Sequence, residues 1–177
     1  IFGERRMRLA LNPFTMILIN VALVVSIMGY GSGFFDQIIS DKTGQSANQF
    51  GQGRRAVLEI PAIEIARDPI RALTTGFGSG SAYYIVAKVQ HAVIGGNLHS
   101  DLIKIVYELG LPVFIIFIAA MYSSKSYGVR IFYLYFNILL LTDNTLIYYY
   151  FLFAFAVLAR NELQLFEKNT EKLKVLP

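Results

Sequence analysis

The first apolar stretch of the chain is also its longest run without charge. Residues 14–30 carry no charged side chain, and these 17 residues would extend about 26 Å as an α-helix at 1.5 Å per residue. Extending the stretch back to Leu9 covers the hydrocarbon core of a bilayer, which is about 30 Å thick. The pattern therefore predicts a transmembrane helix over residues 9–31.

A second apolar stretch occupies residues 101–122 and is also long enough to cross a bilayer. Lys104 and Glu108 lie in its first half, so a polar face of that half should contact protein or water rather than lipid. Gly110 and Pro112 lie near its middle, where these residue types allow close packing or a kink. The sequence therefore predicts a second transmembrane helix that is kinked or closely packed at its centre.

Two shorter apolar stretches, residues 131–142 and 145–160, flank Asp143–Asn144. One continuous helix over residues 131–159 would be about 43 Å long and would carry the Asp–Asn pair in the middle of the membrane. A hairpin of two short transmembrane helices avoids both problems. It also leaves residues 161–177, whose charges alternate in sign, as a cytoplasmic tail.

The distribution of basic residues favours the hairpin and predicts the orientation. With four spans and a cytoplasmic start, nine of the sixteen basic residues lie in the inner segments 1–8, 123–130 and 160–177, in agreement with the positive-inside rule. A single long last helix would instead move the lysine-rich tail outside. We therefore predict an all-α integral membrane protein, a helical bundle in which residues 32–100 form a long extracytoplasmic loop.

Composition agrees with a membrane location. The chain of 177 residues is 55% hydrophobic with a mean hydropathy of +0.50, whereas soluble domains are about 45–50% apolar. It has no cysteine, which excludes disulfides and thiolate chemistry. The net charge of +4 is modest and dispersed, so nucleic acid is not an expected partner. No signal-peptide pattern precedes the first span, and we expect the chain to be part of a longer protein.

The extracytoplasmic loop has its own pattern. Residues 41–53 are polar and rich in Gly, Gln and Ser, which is typical of an irregular segment. Residues 54–66 predict an apolar-rich short helix that Pro61 breaks or kinks and that ends at Asp68–Pro69. Connections this long are uncommon unless they carry function.

His99 lies where this polar loop enters the second long apolar helix. Histidine is the side chain that changes its charge near physiological pH, so a neutral imidazole at this position could take a proton from a sugar hydroxyl. The alternative is an interfacial residue that is only hydrogen-bonded. His91, the other histidine, lacks a comparable context and is expected to be a loop residue.

Basic side chains concentrate in the same loop. A guanidinium can bind a phosphate through two parallel hydrogen bonds and keeps its charge. These arginines could instead lie among lipid headgroups or pair with nearby carboxylates. The glycine-dense residues 74–81 could present backbone N–H groups to phosphate or simply form a tight bend. The arginines are Arg54, Arg55, Arg67 and Arg71.

A polar stripe follows His99. On a helix, Asp101, Lys104 and Glu108 fall within about 60° of one another around the axis. Such a stripe should face the protein interior or a water-filled cavity. It could also be a self-neutralising network in which Lys104 pairs with both carboxylates. Asp143, at the turn of the predicted hairpin, could lie close to the same end of this polar stripe.

These motifs occur in an order that resembles the C-terminal part of the O-antigen ligase and Wzy-type O-antigen polymerase superfamily. The ligase motif of that family is His, then Asn, Ser or Gln, nine residues, Gly, two residues, and Gly, Thr or Tyr. His99, Ser100 and Gly110 match it, while Val113 departs at the last position.

Earlier motifs add to the resemblance, which covers roughly residues 50–160. Gly53–Arg54, Asp68–Pro69 and the glycine turn over residues 76–80 resemble family elements. Leu58 stands where many members have an aromatic residue. The N-terminal spans of a full family member are absent from this sequence.

The resemblance implies a partial GT-C-like fold and a metal-independent glycosyltransferase with no cofactor. His99 would be the general base or would orient the acceptor hydroxyl, and Arg54, with Arg55 or Arg71, would stabilise a leaving diphosphate. Asp101, Lys104, Glu108 and Asp143 would form a supporting polar face.

The implied reaction polymerises a bacterial surface polysaccharide on the extracytoplasmic face of the inner membrane. The implied partners are the lipid bilayer, a polyprenyl-diphosphate-linked oligosaccharide and a chain-length regulator protein. The Val113 departure favours polymerase over O-antigen ligase. A non-catalytic transporter or flippase segment, in which the polar stripe lines a path, is the alternative from another class.

Overall fold

The computed structural model describes residues 9–90, 98–124 and 126–142, with single helical positions at 157, 160 and 164. Within these residues all regular structure is helical, which confirms the all-α prediction. The predicted hairpin turn at Asp143, residues 145–156 and most of the predicted tail lie outside the described residues. In chain order the helices are α1 Pro13–Gly31, α2 Asp36–Thr43, α3 Ala47–Phe50, α4 Arg54–Arg67, α5 Pro69–Leu73, α6 Ser81–Gln90, α7 Asp101–Tyr122 and α8 Tyr127–Thr142.

Helix α1 begins at Pro13 rather than at the predicted Leu9. The side chain of Asn12 accepts a hydrogen bond from the Thr15 backbone N–H at 2.9 Å, and Pro13 occupies the first helical turn. Asparagine is a favoured N-cap, and proline fits the first turn because its missing N–H would have no helical partner there. The helix ends at Gly31, as predicted.

Helix α7 has the predicted bounds and is broken at its centre. Ser100 is its N-cap and accepts a hydrogen bond from the Ile103 N–H at 3.5 Å. Gly110 adopts φ +82° and ψ 168°, a non-helical conformation that is essentially restricted to glycine. Two helical halves therefore meet at Gly110, two residues before Pro112, which confirms the predicted kink.

The region over residues 32–100 is more regular than its sequence predicts. Helices α2 and α3 form in and around the polar segment 41–53, where we expected irregular structure. We predicted that Pro61 breaks or kinks helix α4; the helix runs through Pro61 to Arg67, so the break is not found. The helix ends at Asp68, and the Asp68 carboxylate then accepts a hydrogen bond from the Arg71 N–H at 3.1 Å to cap α5.

Helix α1 packs against α4 and α7, and α7 also contacts α5, α6 and α8. Gly31 allows α1 to approach α4 closely, because a Cβ there would lie 2.7 Å from the Leu58 carbonyl oxygen. The core centres on α7, with Leu102, Phe114 and Ile118 fully buried. The region over residues 32–90 is thereby held against the ends and sides of the long helices.

Within the described part of the chain, two helices, α1 and α7, are long and apolar enough to cross a membrane by length and composition. Helix α8 is apolar but shorter. Only 22% of the apolar window of α1 is buried, compared with 50% for α7. Helix α1 therefore presents most of its apolar surface outward, unlike the core helix of a soluble protein.

Candidate functional site

A cavity of about 210 Å³ forms where several helix ends meet. The C-terminal ends of α1, α3 and α8 contribute to it, together with the first turn of α4 and the residues that precede α7. It contains both Arg54 and His99, and we call it the Arg54–His99 cavity. Its lining residues are Ile27, Tyr30, Phe50, Gly51, Arg54, Leu58, Leu98, His99, Ser100 and Leu141.

Arg54 is placed at the cavity by the turn that precedes α4. Gly53 adopts φ +83°, and the Arg54 N–H donates to the Gly51 carbonyl at 3.0 Å, so the chain reverses just before the helix starts. The Arg54 side chain is exposed. Among the described residues, no carboxylate lies within ion-pair distance of it. Its guanidinium therefore keeps its hydrogen-bond donors for a ligand.

His99 approaches the cavity from the other side. It is exposed, while its neighbours Leu98 and Ser100 are buried and anchor the start of α7. His99 adopts φ +53°, a left-handed conformation that costs a branched or bulky side chain about 1–2 kcal/mol. The surrounding structure therefore holds the His99 backbone in a conformation that is unfavourable for a non-glycine residue.

Backbone strain is concentrated around this cavity. Among the described residues, His99 and Gln52 are the non-glycine residues with positive φ, and Gln52 lies between the lining residues Gly51 and Arg54. Strained conformations persist where the surrounding structure imposes them, and they cluster at functional sites. The two strained positions support the cavity as a site.

The rim is held by a network of hydrogen bonds. The Tyr30 hydroxyl donates to the Ala47 carbonyl at 2.7 Å, and the Asn48 side chain accepts from the Ala56 N–H at 3.1 Å. At Gly51, any Cβ would overlap the Tyr30 hydroxyl. These contacts tie α3 to α1 and α4, so the cavity is largely formed before any ligand arrives.

Arg55 is engaged elsewhere. Its guanidinium contacts Asp36 at 2.9 Å and Glu59 at 3.0 Å. The hydrogen bond to Asp36 raises the pKa of Arg55 despite the opposing effect of burial. Arg55 therefore pairs with nearby carboxylates, which was the alternative to diphosphate binding.

Arg71 also bonds within the protein. Its Nε donates to the Gly76 carbonyl at 3.2 Å, and Nη2 donates to the Phe77 carbonyl at 3.4 Å. The guanidinium carbon lies 5.1 Å from the centre of the Phe77 ring, and Phe77 in turn stacks on Tyr107 at 4.7 Å. Of the three predicted diphosphate ligands, Arg54 is the one that lines the cavity.

The glycine turn covers the break in α7. The Phe77 N–H donates to the Tyr107 carbonyl at 2.7 Å, and the Gly78 N–H donates to the Glu108 carbonyl at 3.0 Å. These two carbonyls precede the break at Gly110 and would otherwise lack helical partners. The structure thus favours the tight bend over the phosphate cradle, because these N–H groups are already used. We call residues 71–78 with 107–110 the Gly76–Gly110 junction.

The polar stripe is integrated into the packing. Asp101 and Glu108 are buried, and Lys104 is half-buried. The Glu108 carboxylate accepts from the Ala82 N–H at 3.2 Å and caps α6. No carboxylate of the described residues lies within ion-pair distance of Lys104, so the expected self-neutralising pairs are not formed there. Asp143, the fourth predicted member, lies outside the described residues.

The sequence analysis did not identify Tyr30, Phe50 or Ser100 as site residues, although all three line the cavity. Phe50 could have been identified from the sequence, because it is a lone aromatic residue in the polar segment 41–53. Over the described part of the chain, no three His, Cys, Asp or Glu side chains form a group that could hold a metal ion.

Comparisons of this chain with protein-family models, with curated proteins and with solved structures find no match. The functional interpretation therefore depends on the cavity itself. The cavity combines an arginine that has no carboxylate partner among the described residues, an exposed imidazole and an aromatic ring on a preformed apolar frame.

Proposed function

We propose that this chain is the C-terminal part of a bacterial inner-membrane glycosyltransferase that polymerises a surface polysaccharide. The donor is a polyprenyl-diphosphate-linked glycan and the acceptor is another lipid-linked glycan. The observation that carries the proposal is the convergence of Arg54 and His99, far apart in sequence, on one cavity. A cation and a base are the two groups that this transfer requires.

The chemistry assigns one role to each group. An acceptor hydroxyl attacks the anomeric carbon of the donor and forms the new C–O bond, while His99 takes the hydroxyl proton. The bond between the anomeric carbon and the diphosphate oxygen breaks, and the diphosphate leaves with the electron pair. Arg54 offsets the charge that develops on this leaving group.

A lipid-linked donor requires a site at a membrane surface. Helices α1 and α7 are long enough to cross a bilayer, and α1 exposes Phe14, Leu18 and Val25 along its length. Large exposed apolar faces of this kind are costly in water and favourable in lipid. The distribution of basic residues, read with the positive-inside rule, supports an extracytoplasmic location for the cavity.

Transport is less well supported than catalysis. A path for polysaccharide or ions needs polar side chains that line open space. Asp101 and Glu108 are instead buried against this chain, and Glu108 is used to cap α6. Arg55 and Arg71, which were predicted as further diphosphate ligands, are not part of this proposal, because their guanidiniums bond to groups of the protein itself.

The experiment compares two substitutions in the full-length protein, expressed in a strain that lacks the gene. His99→Ala and Arg54→Ala should each lower polymer output by at least about 100-fold with normal membrane insertion. Arg67→Ala removes an exposed arginine outside the cavity and should keep wild-type output. Wild-type output from a normally inserted His99→Ala protein would end the catalytic proposal.

The same experiment separates polymerase from ligase. Loss of the chain-length ladder with intact transfer of single units to lipid A core supports a polymerase. Loss of transfer to the core, with lipid-linked polymer still made, supports a ligase that uses the same cavity.

A further inference from the structure

One wall of the Arg54–His99 cavity is an exposed aromatic ring. Phe50 ends α3, lines the cavity and keeps 57% of its surface exposed. It comes four residues before Arg54, and the turn between them folds back on itself. The ring therefore shares with Arg54 an open space that no described side chain fills.

Phe50 is also held firmly for an exposed residue. Its N–H donates to the Ser46 carbonyl at 2.9 Å, and Ser46 with Gln49 forms a capping box around α3. The Gly53 N–H donates to the Asn48 carbonyl at 2.8 Å and closes the turn after the ring. The backbone that carries the ring is therefore fixed, and an aromatic side chain with only two side-chain torsions loses little conformational entropy when it binds a ligand.

We propose that Phe50 is the stacking platform for the sugar ring that is attached to the donor diphosphate, and that it thereby determines sugar specificity. The proposal rests on the proposed function and deepens it. A pyranose ring presents polarised C–H groups on its faces, and the electron-rich face of an aromatic ring attracts them. Its hydroxyls, at the ring edge, remain free to bond elsewhere.

The size and layout of the cavity fit a single sugar. The cavity volume of about 210 Å³ is sufficient for one sugar ring. The sugar joined to the diphosphate must lie directly beside the cation that binds the diphosphate. Phe50, Arg54 and His99 line the same cavity, while Tyr30, the other aromatic residue of the lining, uses its hydroxyl to bond the Ala47 carbonyl.

The test measures binding by full-length protein purified in detergent. The probes are a short-chain prenyl diphosphate and the same molecule bearing one sugar, taken from a panel of hexoses and N-acetylhexosamines. Wild-type protein should bind at least one sugar-bearing probe about fivefold more tightly than the bare diphosphate. Phe50→Ala should remove that difference and leave affinity for the bare diphosphate unchanged.

Matched variants isolate the ring face. Phe50→Tyr keeps the face and should keep the difference, whereas Phe50→Leu keeps an apolar side chain without a ring and should behave as Phe50→Ala. Phe34→Ala removes another exposed phenylalanine, one outside the cavity lining, and should change neither affinity. Arg54→Ala should weaken both probes.

The remaining outcomes contradict either the stacking platform or the proposed function as a whole. Equal weakening of both probes by Phe50→Ala would mean that the residue shapes the rim or contacts lipid, and the stacking platform would be wrong. The stacking platform would also be wrong if the wild-type protein binds no sugar-bearing probe more tightly than the bare diphosphate. If neither probe binds and Arg54→Ala changes nothing, the proposed function fails as well.

Discussion

At the Gly76–Gly110 junction, Arg71 and the N–H groups of Phe77 and Gly78 donate to carbonyl oxygens of the protein itself. At the Arg54–His99 cavity, Arg54, which follows the turn at Gly53, and the imidazole of His99 face open space. Both regions contain arginine, glycine and an aromatic ring. The difference shows that similar hydrogen-bond donors can be bonded within the fold in one region and remain available to a ligand in another.

The two regions also differ in where they accept positive φ angles. The junction places them on Gly76, Gly78 and Gly110, where a left-handed backbone costs little. At the cavity, Gly53 has a positive φ as well, but so do Gln52 and His99, for which this conformation is less favourable than for glycine. Glycine adopts a left-handed backbone more readily than histidine, so glycine at position 99 is expected to be at least as stable.

The junction should fail most severely when Gly110 is replaced. In Gly110→Ala the backbone must hold a conformation restricted to glycine, and the new Cβ would overlap the Thr74 carbonyl oxygen. Strain and overpacking together should lower the free energy of unfolding by about 4 kcal/mol. Thermal unfolding in detergent measures this loss.

Gly128→Ala is the matched control, because Gly128 is an exposed helical position with room for a Cβ. It should raise stability by up to about 1 kcal/mol. Equal unfolding temperatures for the two alanine variants would contradict the packing described for the junction.

At the cavity, replacing His99 should move activity and stability in opposite directions. His99→Gly relieves the left-handed strain and should leave stability unchanged or raise it by about 1 kcal/mol. It removes the proposed base, so polymer output should fall by at least about 100-fold. Unfolding temperature and polymer yield are measured on the same preparation.

Gln52→Gly relieves the same strain next to the cavity without removing a proposed catalytic group. It should keep activity while matching the stability of His99→Gly. Inactivity of both glycine variants would indicate that the rim, rather than the imidazole, carries the effect.

Replacing either of two arginines by alanine should have a smaller effect on the free energy of unfolding. Arg71→Ala loses two hydrogen bonds and a ring contact, and should lower the free energy of unfolding by about 1.5 kcal/mol. Arg54→Ala should change it by less than about 0.5 kcal/mol, because the exposed guanidinium has no partner among the described carboxylates. An Arg71→Ala protein of normal stability but no activity would reverse the comparison and make Arg71 a substrate ligand.

The smallest effect is expected at Arg55. Glu59→Gln removes one of its two carboxylate partners, and a half-exposed pair at this helical spacing contributes about 0.5 kcal/mol or less. The loss, measured by thermal unfolding, should disappear in 1 M salt, where the screening length is about 3 Å. A salt-independent loss would show that Glu59 acts through packing instead.

Regular features of the fold could be predicted from periodicity and residue type. The bounds of α7 and its break at Gly110 follow from a long apolar run interrupted by glycine and proline. The helix through Pro61 could not be predicted, because local rules disfavour proline there while burial of Pro61 between packed helices outweighs the lost hydrogen bond.

The site was predicted only in part. Arg54 and His99 were both identified by their chemistry, but spacing cannot bring residues from two ends of a long loop together. The distinction among Arg54, Arg55 and Arg71 also required the fold, since it depends on which carboxylates and carbonyls lie nearby. Phe50 was missed because a single aromatic residue has no periodicity.

The break in α7 has a consequence for membrane depth. If the helix enters a bilayer at Asp101, nine residues at 1.5 Å put Gly110 about 14 Å below the surface, near the middle of a 30 Å hydrocarbon core. Open backbone is tolerated at that depth only where protein shields it from lipid. Residues 76–78, whose N–H groups bond the carbonyls before the break, would then form a re-entrant segment that shields this backbone from lipid.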